Sequence, residues 1–295
     1  MIVRVLGSAA GGGVPQWNCA CPNCSAARAG DAPRRSQSSF AVSADGLRWW
    51  LVNASPDIAQ QIEATSPLQP LAARGTPIAG MLFTDANVDH IGGLAVLRQQ
   101  GDHAFDIYSS PTVRTLALQQ RSFSPFGEPP HQWRSVASGE TFSLEEQLEV
   151  RVVAVDGTTP GYAGREALAD AVVAYAISDT QNGTSALFAP VYANVTPSLL
   201  AAAAEANVAF FDGSFWSDDE LRTVGVAKPA RALGHAPIGG RDGSLEALAA
   251  TPRRGRRFFA HLNNTNPLLD PASAEHAEAT DRGFEVAEDG LELHI

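Results

Sequence analysis

The chain has 295 residues, 44% hydrophobic and 18% charged, with a formal net charge of −11 and a single lysine, Lys228. That length accommodates one large core, and the composition is that of a water-soluble globular protein. The acidic balance argues against nucleic acid as a partner, and no apolar run approaches a membrane-spanning length.

Residues 2–6 read as a first strand and lack the charged-then-apolar order of a signal peptide. A glycine-rich turn at 7–13 then leads into Trp17-Asn18-Cys19-Ala20-Cys21-Pro22-Asn23-Cys24, which holds every cysteine of the chain. Three thiols at this spacing are no disulfide framework. Thiolates so close together are best stabilised by one soft cation, usually tetrahedral Zn²⁺. The loop at 17–25 supplies three ligands, so a fourth has to come from elsewhere, most naturally from a histidine. Four protein ligands close such a site and make the metal structural. Reduced, metal-suited cysteines also point to the cytoplasm.

Residues 38–43 and 49–53 form a strand pair around the turn Ala44-Asp45-Gly46. Pro56 opens a short helix to residue 64, with Ser55 as its cap. A buried strand at 78–84 precedes a helix at 90–99, which carries Ile91, Leu94 and Leu97 on one face. A strand at 107–109 and a helix at 111–120 repeat that order. The Pro/Phe-rich stretch 121–134 is either a lid or a surface excursion. Strands are expected at 148–155, 171–178 and 186–190, then a helix at 197–206 and a strand at 208–211. A strand at 258–262, a helix at 272–281 and strand pieces at 285–286 and 291–292 finish the chain. Two similar successive halves of this kind predict an α/β (α+β) architecture of the αββα type, two mixed sheets packed face to face with helices outside. No repeat or linker forces a domain split.

Chemistry-bearing residues gather at strand ends. Thr84-Asp85-Ala86-Asn87-Val88-Asp89-His90 lies where a buried strand gives way to a helix, and a turn there can aim Asp85, Asn87, Asp89 and His90 at one point. Such a set suits Fe²⁺, Mn²⁺ or Zn²⁺, although a capping Asp89 beside a core His90 accounts for it equally well. Asp212 ends a second strand in Phe211-Asp212-Gly213-Ser214. His235 follows Leu233-Gly234, and His261 opens His261-Leu262-Asn263-Asn264-Thr265-Asn266-Pro267. His103, His131, His276 and His294 have ordinary surroundings. The glycine turn lacks the Lys-Ser/Thr ending of a phosphate-binding loop. Ser55 and Asp57, in Asn53-Ala54-Ser55-Pro56-Asp57, sit at a strand-to-helix junction where capping explains both.

A strand ending in acidic residues and histidine, a later strand ending in Asp and a late strand ending in His resemble the metallo-β-lactamase superfamily. The first motif departs from that pattern, because Asp85 and Asn87 stand where two metal-binding histidines are usual. The run from Leu6 to Cys21, Asn53-Ala54-Ser55-Pro56-Asp57-Ile58, Phe211-Asp212-Gly213-Ser214 and His261 to Pro267 resemble one branch, the coenzyme PQQ synthesis protein B family. The resemblance covers the whole length and implies a role in making pyrroloquinoline quinone. Two activities follow from it: an iron-dependent, oxygen-using hydroxylase of the tyrosine ring in a cross-linked Glu-Tyr precursor, or a carrier of the quinone or its precursor towards the periplasm. A metal-dependent phosphodiesterase is a third reading, weakened by the missing histidines. On the hydroxylase reading, Asp89, His90 and Asp212, with Asp85 or Asn87, hold one Fe²⁺. His235 exchanges protons beside it, and Ser55 and Asp57 contact substrate. The resemblance makes His261 the fourth ligand of the cysteine zinc, whereas its place in the superfamily pattern turns it towards the active metal. A homodimer is left open.

Overall fold

The computed structural model of the chain describes residues 1–99 and 103–295. The first sheet contains β1 (Ile2–Gly7), β2 (Ser39–Ser43), β3 (Trp49–Val52), β4 (Ile78–Phe83), β5 (Asp106–Ser109) and β6 (Gln132–Ser135). The second contains β7 (Thr141–Ser143), β8 (Leu148–Ala154), β9 (Val173–Asp179), β10 (Thr184–Ala189), β11 (Val208–Asp212), β12 (Arg256–Ala260) and β13 (Phe284–Val286). The last strand, β14 (Glu292–His294), returns to the first sheet, whose order is β14-β1-β2-β3-β4-β5-β6; the second runs β13-β12-β11-β10-β9-β8-β7. Strands β3 to β6 pair in parallel, as do β10 to β13, and the remaining pairs are antiparallel.

Side-chain alternation explains why the sheets stack. Val3 and Val5, Phe40 and Val42, and Trp50 and Val52 point inward, onto Val150, Val152, Tyr175 and Phe210 of the second sheet. The residues between them turn outward. Ala41, Trp49, Leu51 and Phe83 meet α2 (Ile58–Glu63), α3 (Val88–Ile91), α4 (Leu94–Leu97) and α5 (Pro111–Leu118). On the other side Leu187, Phe211 and Phe259 meet α6 (Pro197–Glu205), α7 (Ser244–Ala249) and α8 (Ala274–Asp281). A strand covered on both faces reads as an unbroken apolar run, as β4 and β11 do. At the centre Phe210 stacks on Phe188 and Phe258 at 5.6 and 5.3 Å, with Phe40 tilted against it at 4.9 Å. Each such pair adds about 0.5–1.5 kcal/mol beyond area burial. The expected αββα sandwich is the architecture found.

Four local expectations change. A helix, α1 (Pro22–Ala29), begins inside the cysteine run, with Pro22 in its first turn and Gly30 closing it at a left-handed φ of 86°. The helix expected at 90–99 is broken into α3 and α4 around Gly92 and Gly93. A Cβ on Gly93 would meet the carbonyl oxygens of Ser55 and Ala54 at 2.6 and 2.7 Å, so the chain can only turn here against the β3–α2 junction. The 121–134 stretch is no lid: Phe123 and Phe126 are buried in the outer core beneath the first sheet, and β6 already starts at its end. Ser55 is buried, and its hydroxyl accepts from the Asp57 amide, but α2 starts at Ile58, two residues later than Pro56. Among the described residues no helix is long and apolar enough to cross a membrane.

Candidate metal centres

Parallel strands deliver their carboxyl ends to one edge, and three of them converge here: β4 leads into Thr84–His90, β11 ends at Asp212, and β12 hands over to His261. His261 adopts a left-handed φ of 58°, rare for a residue with a side chain. Such strain persists only where surrounding contacts hold it, and it gathers at functional sites. Two groups of metal-competent atoms form, Asp89 with His90 and His261, and Asp212 with His235 and His261, each with its ligand atoms within 4.8 Å of one another.

Hydrogen bonds fix which atoms face inward. His90 Nδ1 lies 2.6 Å from Asp85 Oδ2, and behind that carboxylate Thr84 Oγ1 donates to Asp85 Oδ2 at 2.9 Å. Asn53, itself at a left-handed φ of 63°, donates to Thr84 Oγ1 at 3.0 Å. The other Asp85 oxygen accepts from the Asn87 amide and side chain, both at 2.8 Å. His90 Nε2 is fully buried and makes no hydrogen bond, with Asp89 Oδ2 standing 4.0 Å away. An orphaned imidazole nitrogen costs free energy unless a proton or cation occupies it. Burial opposes the charge on His90, but Asp85 and Asp89 overcome this and push its pKa up to about 9. Asp89 is lowered: burial works against ionisation and the neighbouring His90 charge wins.

His261 is held by Ser214. The Ser214 hydroxyl lies 2.6 Å from Asp212 Oδ1, 2.7 Å from His261 Nδ1 and 3.0 Å from His235 Nδ1. A hydroxyl has one proton, and the charged oxygen of Asp212 takes it, so the hydroxyl accepts from His261 Nδ1–H. That tautomer bares His261 Nε2, 3.2 Å from Asp89 Oδ2. A lone pair and a carboxylate oxygen at this separation need a cation or a proton between them. Opposite, His235 Nδ1 pairs with Asp212 Oδ2 at 2.8 Å. Burial disfavours the charge on His235, yet Asp212 raises its pKa. The cluster opens into a cleft of about 290 Å³ lined also by Gly11, Asn87, Arg165 and Asn263. Gly11 belongs to the glycine turn, where a Cβ would come 3.2 Å from Asp89 Oδ2. Close approach to Asp89 is what that turn provides.

The structure brings Asp89, His90, Asp212 and His235 together with His261. Asp85 stands behind the cluster and pairs with His90 Nδ1, whereas Asn87 lines the cleft while its N–H groups donate to Asp85, so both expected ligands are placed where they orient other groups. Ser55 and Asp57 are corrected too. The Ser55 hydroxyl is spent on Gln61 and Asp57 N–H, the Asp57 carboxylate on Gln37, and neither lines the cleft. Sequence reasoning missed Ser214, although it stands in the Asp212-Gly213-Ser214 run, where a hydroxyl two residues past a strand-end carboxylate was the available signal.

Cys19, Cys21 and Cys24 form a separate group. Burial and the adjacent Cys21 charge push the Cys24 thiol up to about 11. Cys21 is lowered: burial opposes its ionisation, and hydrogen bonds from the Cys24 amide and its neighbours prevail. Backbone amides of Gln16 and Cys21 point at Cys24 Sγ and Cys19 Sγ at 3.3 and 3.4 Å. Such a set fits Zn²⁺ as three thiolates. His261, expected to complete it, instead has its ring in the strand-end cluster, with Nδ1 on Ser214 and Nε2 facing Asp89. The side chain that reaches the sulfurs is Asn264, whose amide head lies 3.1, 3.5 and 3.4 Å from the three of them.

A family model described as a β-lactamase superfamily domain matches residues 48–262, so fold and strand-end site define a protein of the metallo-β-lactamase class. Over its length the chain is 42% identical to coenzyme PQQ synthesis protein B of Ruegeria pomeroyi, covering 99% of both, and 40% identical to that of Methylorubrum extorquens strain PA1, covering 100% of both. It belongs to the coenzyme PQQ synthesis protein B family. The crystal structure of Zn²⁺-bound PqqB from Methylobacterium extorquens superposes with a TM-score of 0.94 at 40% identity over all of both chains. A diphosphatase of the PhnP family, 20% identical with a TM-score of 0.71 over 100% of this chain and 97% of its own, shares the fold.

Proposed function

We propose that this chain is a metal-dependent oxygenase of pyrroloquinoline quinone synthesis, hydroxylating the tyrosine ring of a cross-linked Glu-Tyr precursor, with a zinc ion in the cysteine loop as a structural element. The observation that carries the reading is the orphaned, buried His90 Nε2 aimed at Asp89 and His261. A carrier has no use for such a group, whereas a bound cation satisfies it. Mixed imidazole and carboxylate donors suit Fe²⁺. When bound, that ion would supply the redox chemistry with O₂. Asp89, His90 and His261 are the residues that would hold it.

The chain's own groups then divide the work. Asp85, backed by Thr84 and Asn53, keeps a proton on His90 Nδ1 and presents Nε2 to the centre. Ser214 does the same for His261. The Asp212–His235 pair holds a proton at the cleft wall, where a phenol or its oxygenated product can exchange it. Asn87 and Arg165 offer the substrate a neutral amide and a cation in an otherwise acidic cleft. Cysteines spaced to hold a metal as thiolates accord with a reducing compartment such as the cytoplasm.

The test is metal content by mass spectrometry on anaerobically purified protein, followed by Fe²⁺, O₂, a reductant and a cross-linked Glu-Tyr substrate. Ring hydroxylation inserts one oxygen atom into a C–H bond and reduces the other to water, hence the reductant. One zinc plus iron-dependent oxygen uptake and a hydroxylated ring is the expected result. A protein that holds zinc, takes up no second metal and gives no turnover would leave the carrier reading in its place.

A further inference from the structure

Between β8 and β9 the chain runs beside the cleft as a strap, residues 155–172, tied to both halves of the molecule. Tyr162 Oη donates to the Ala86 carbonyl at 2.7 Å, and Ser110 Oγ and Thr112 Oγ1 donate to the carbonyls of Asp170 and Ala169 at 2.6 and 2.7 Å. From the strap, Arg165 Nη1 donates to the Leu233 carbonyl at 3.0 Å, in the turn just before His235. Arg165 is where the strap meets the cleft, for it lines the same walls as Asp89, His235 and His261. Its backbone is set for that place: Gly164 and Arg165 both take left-handed φ, 90° and 54°. An arginine in that region is uncommon, and such strain gathers at functional sites.

The guanidinium has more to offer than the strap uses. One N–H goes to Leu233, and Nε and Nη2 have no partner among the described residues. No carboxylate among them pairs with it either, since Asp89, the acid that shares the cleft, faces His90 and His261. A Cβ on Gly161 would lie 3.2 Å from Nη2 and 3.6 Å from Nε, so glycine there leaves this side of the fork uncovered. Charge gives the fork its use. The chain carries −11 overall, and Asp85, Asp89 and Asp212 crowd the strand ends. An anion entering such a cleft is repelled unless a fixed cation meets it. Among the described residues of the cleft wall, Arg165 is the one arginine or lysine. A guanidinium stays charged and matches a carboxylate with two parallel N–H···O bonds.

We infer that Arg165 takes a carboxylate of the substrate through Nε and Nη2, and so selects a phenol that carries a free carboxyl over one that does not. The inference rests on the cross-linked Glu-Tyr reading above, whose precursor bears such groups. Its competitor is a brace, with Arg165 holding the turn before His235 by way of Leu233 and never touching substrate.

Binding separates the two without any turnover. Calorimetry on the full chain, with Fe²⁺ added and O₂ excluded, compares the cross-linked Glu-Tyr amino acid with the same molecule amidated at its carboxyls. The parent protein should prefer the acid by about tenfold, the low end for hydrogen bonds to a charged group because Arg165 is exposed. Arg165→Asn, an exchange that suits the left-handed backbone, should abolish that preference and leave the affinity for the amide as it was. Arg165→Lys keeps the charge but not the fork, and should fall between. Loss of a brace would weaken acid and amide alike, so an Arg165→Asn variant that still prefers the acid overturns the assignment. Should the asparagine variant not fold, Arg165→Lys decides: a reduced preference supports the fork, an undiminished one refutes it. A parent protein that binds acid and amide equally also refutes it. One that binds neither overturns the substrate reading itself, and the inference falls with it.

Discussion

His90 and His261 each have one ring nitrogen committed to a neighbour and the other free to bind, and their partners decide which. Asp85→Asn would remove the anion that fixes the His90 proton on Nδ1. Metal affinity at the strand ends should fall roughly 10–100-fold, the usual cost of losing a ligand's outer partner, as read by titration of Fe²⁺ or Zn²⁺ into protein whose cysteine site is already filled. His261→Ala should abolish binding there and leave one zinc per chain at the cysteines, which elemental analysis of the purified variant would show; zinc loss instead would return His261 to the cysteine site. Because His90 holds its proton up to about pH 9, that proton competes with the metal. Apparent affinity should therefore rise with pH up to about 9 and level off above it, by as much as about tenfold per pH unit. Asp89, His90 and Asp212 were legible because strand ends announce themselves by an apolar run followed by ionisable residues, whereas His235 follows a short helical turn, Arg231–Leu233, and no strand. The destination of His261 was not legible. A sequence motif gives the type of donor, whereas its direction was set by a left-handed backbone turn at His261 itself, which aims the ring one way and lets Asn264 go the other.

At the scale of elements, the strand-end site depends on how closely the α3–α4 turn presses on the β3–α2 junction. Gly93→Ala would drive a Cβ against two carbonyl oxygens. It should cost about 1–3 kcal/mol, the range for an extra methyl in a filled space, and loosen Asp89 and His90 together. Denaturant unfolding and metal titration on the same variant would check both. The elements that sequence reasoning found were strands with a marked apolar stretch, such as β4 and the Phe-rich parts of β11 and β12. It overlooked β6 and β7, which lie at sheet edges and carry exposed polar residues such as Gln132, Arg134, Thr141 and Ser143. It also overlooked α1, because cysteines two and three apart resemble a metal loop whether or not a helix runs through them. The Pro/Phe stretch misled in another way: proline marks a loop, but only packing shows that Phe123 and Phe126 turn into the core.

Across the whole molecule, one buried carboxyl outside both centres ties distant segments together. Glu220 accepts from the Trp216 amide at 2.6 Å and from Thr265 Oγ1 at 2.5 Å. Burial raises its pKa from 4.5 to about 7, against the pull of those hydrogen bonds. The folded state therefore holds this proton more tightly than the unfolded chain. Stability should be unpenalised below about pH 4.5, decline as pH rises towards 7, and stay at the lower level above it. Glu220→Gln should flatten that decline and raise the melting temperature at pH 8, measured by calorimetry at several pH values. The αββα arrangement itself was legible from the order of elements, since two successive halves of strands and helices admit few other layerings. The return of β14 to the first sheet was not, because a short terminal strand pairs wherever an open edge awaits it, and sequence does not mark the edge.

Only two residues separate His261, in the strand-end cluster, from Asn264, whose amide reaches the cysteine sulfurs. With both centres filled, as the proposed function has them, a tether that short would make the two ions correspondents. Whatever ordering of residues 261–264 one of them imposes, the other finds already done, and thermodynamic reciprocity requires the favour to be returned by the same factor. Stripping zinc should then weaken the second metal as much as stripping the second metal weakens zinc, so that a cell short of one ion would find this chain losing its grip on both.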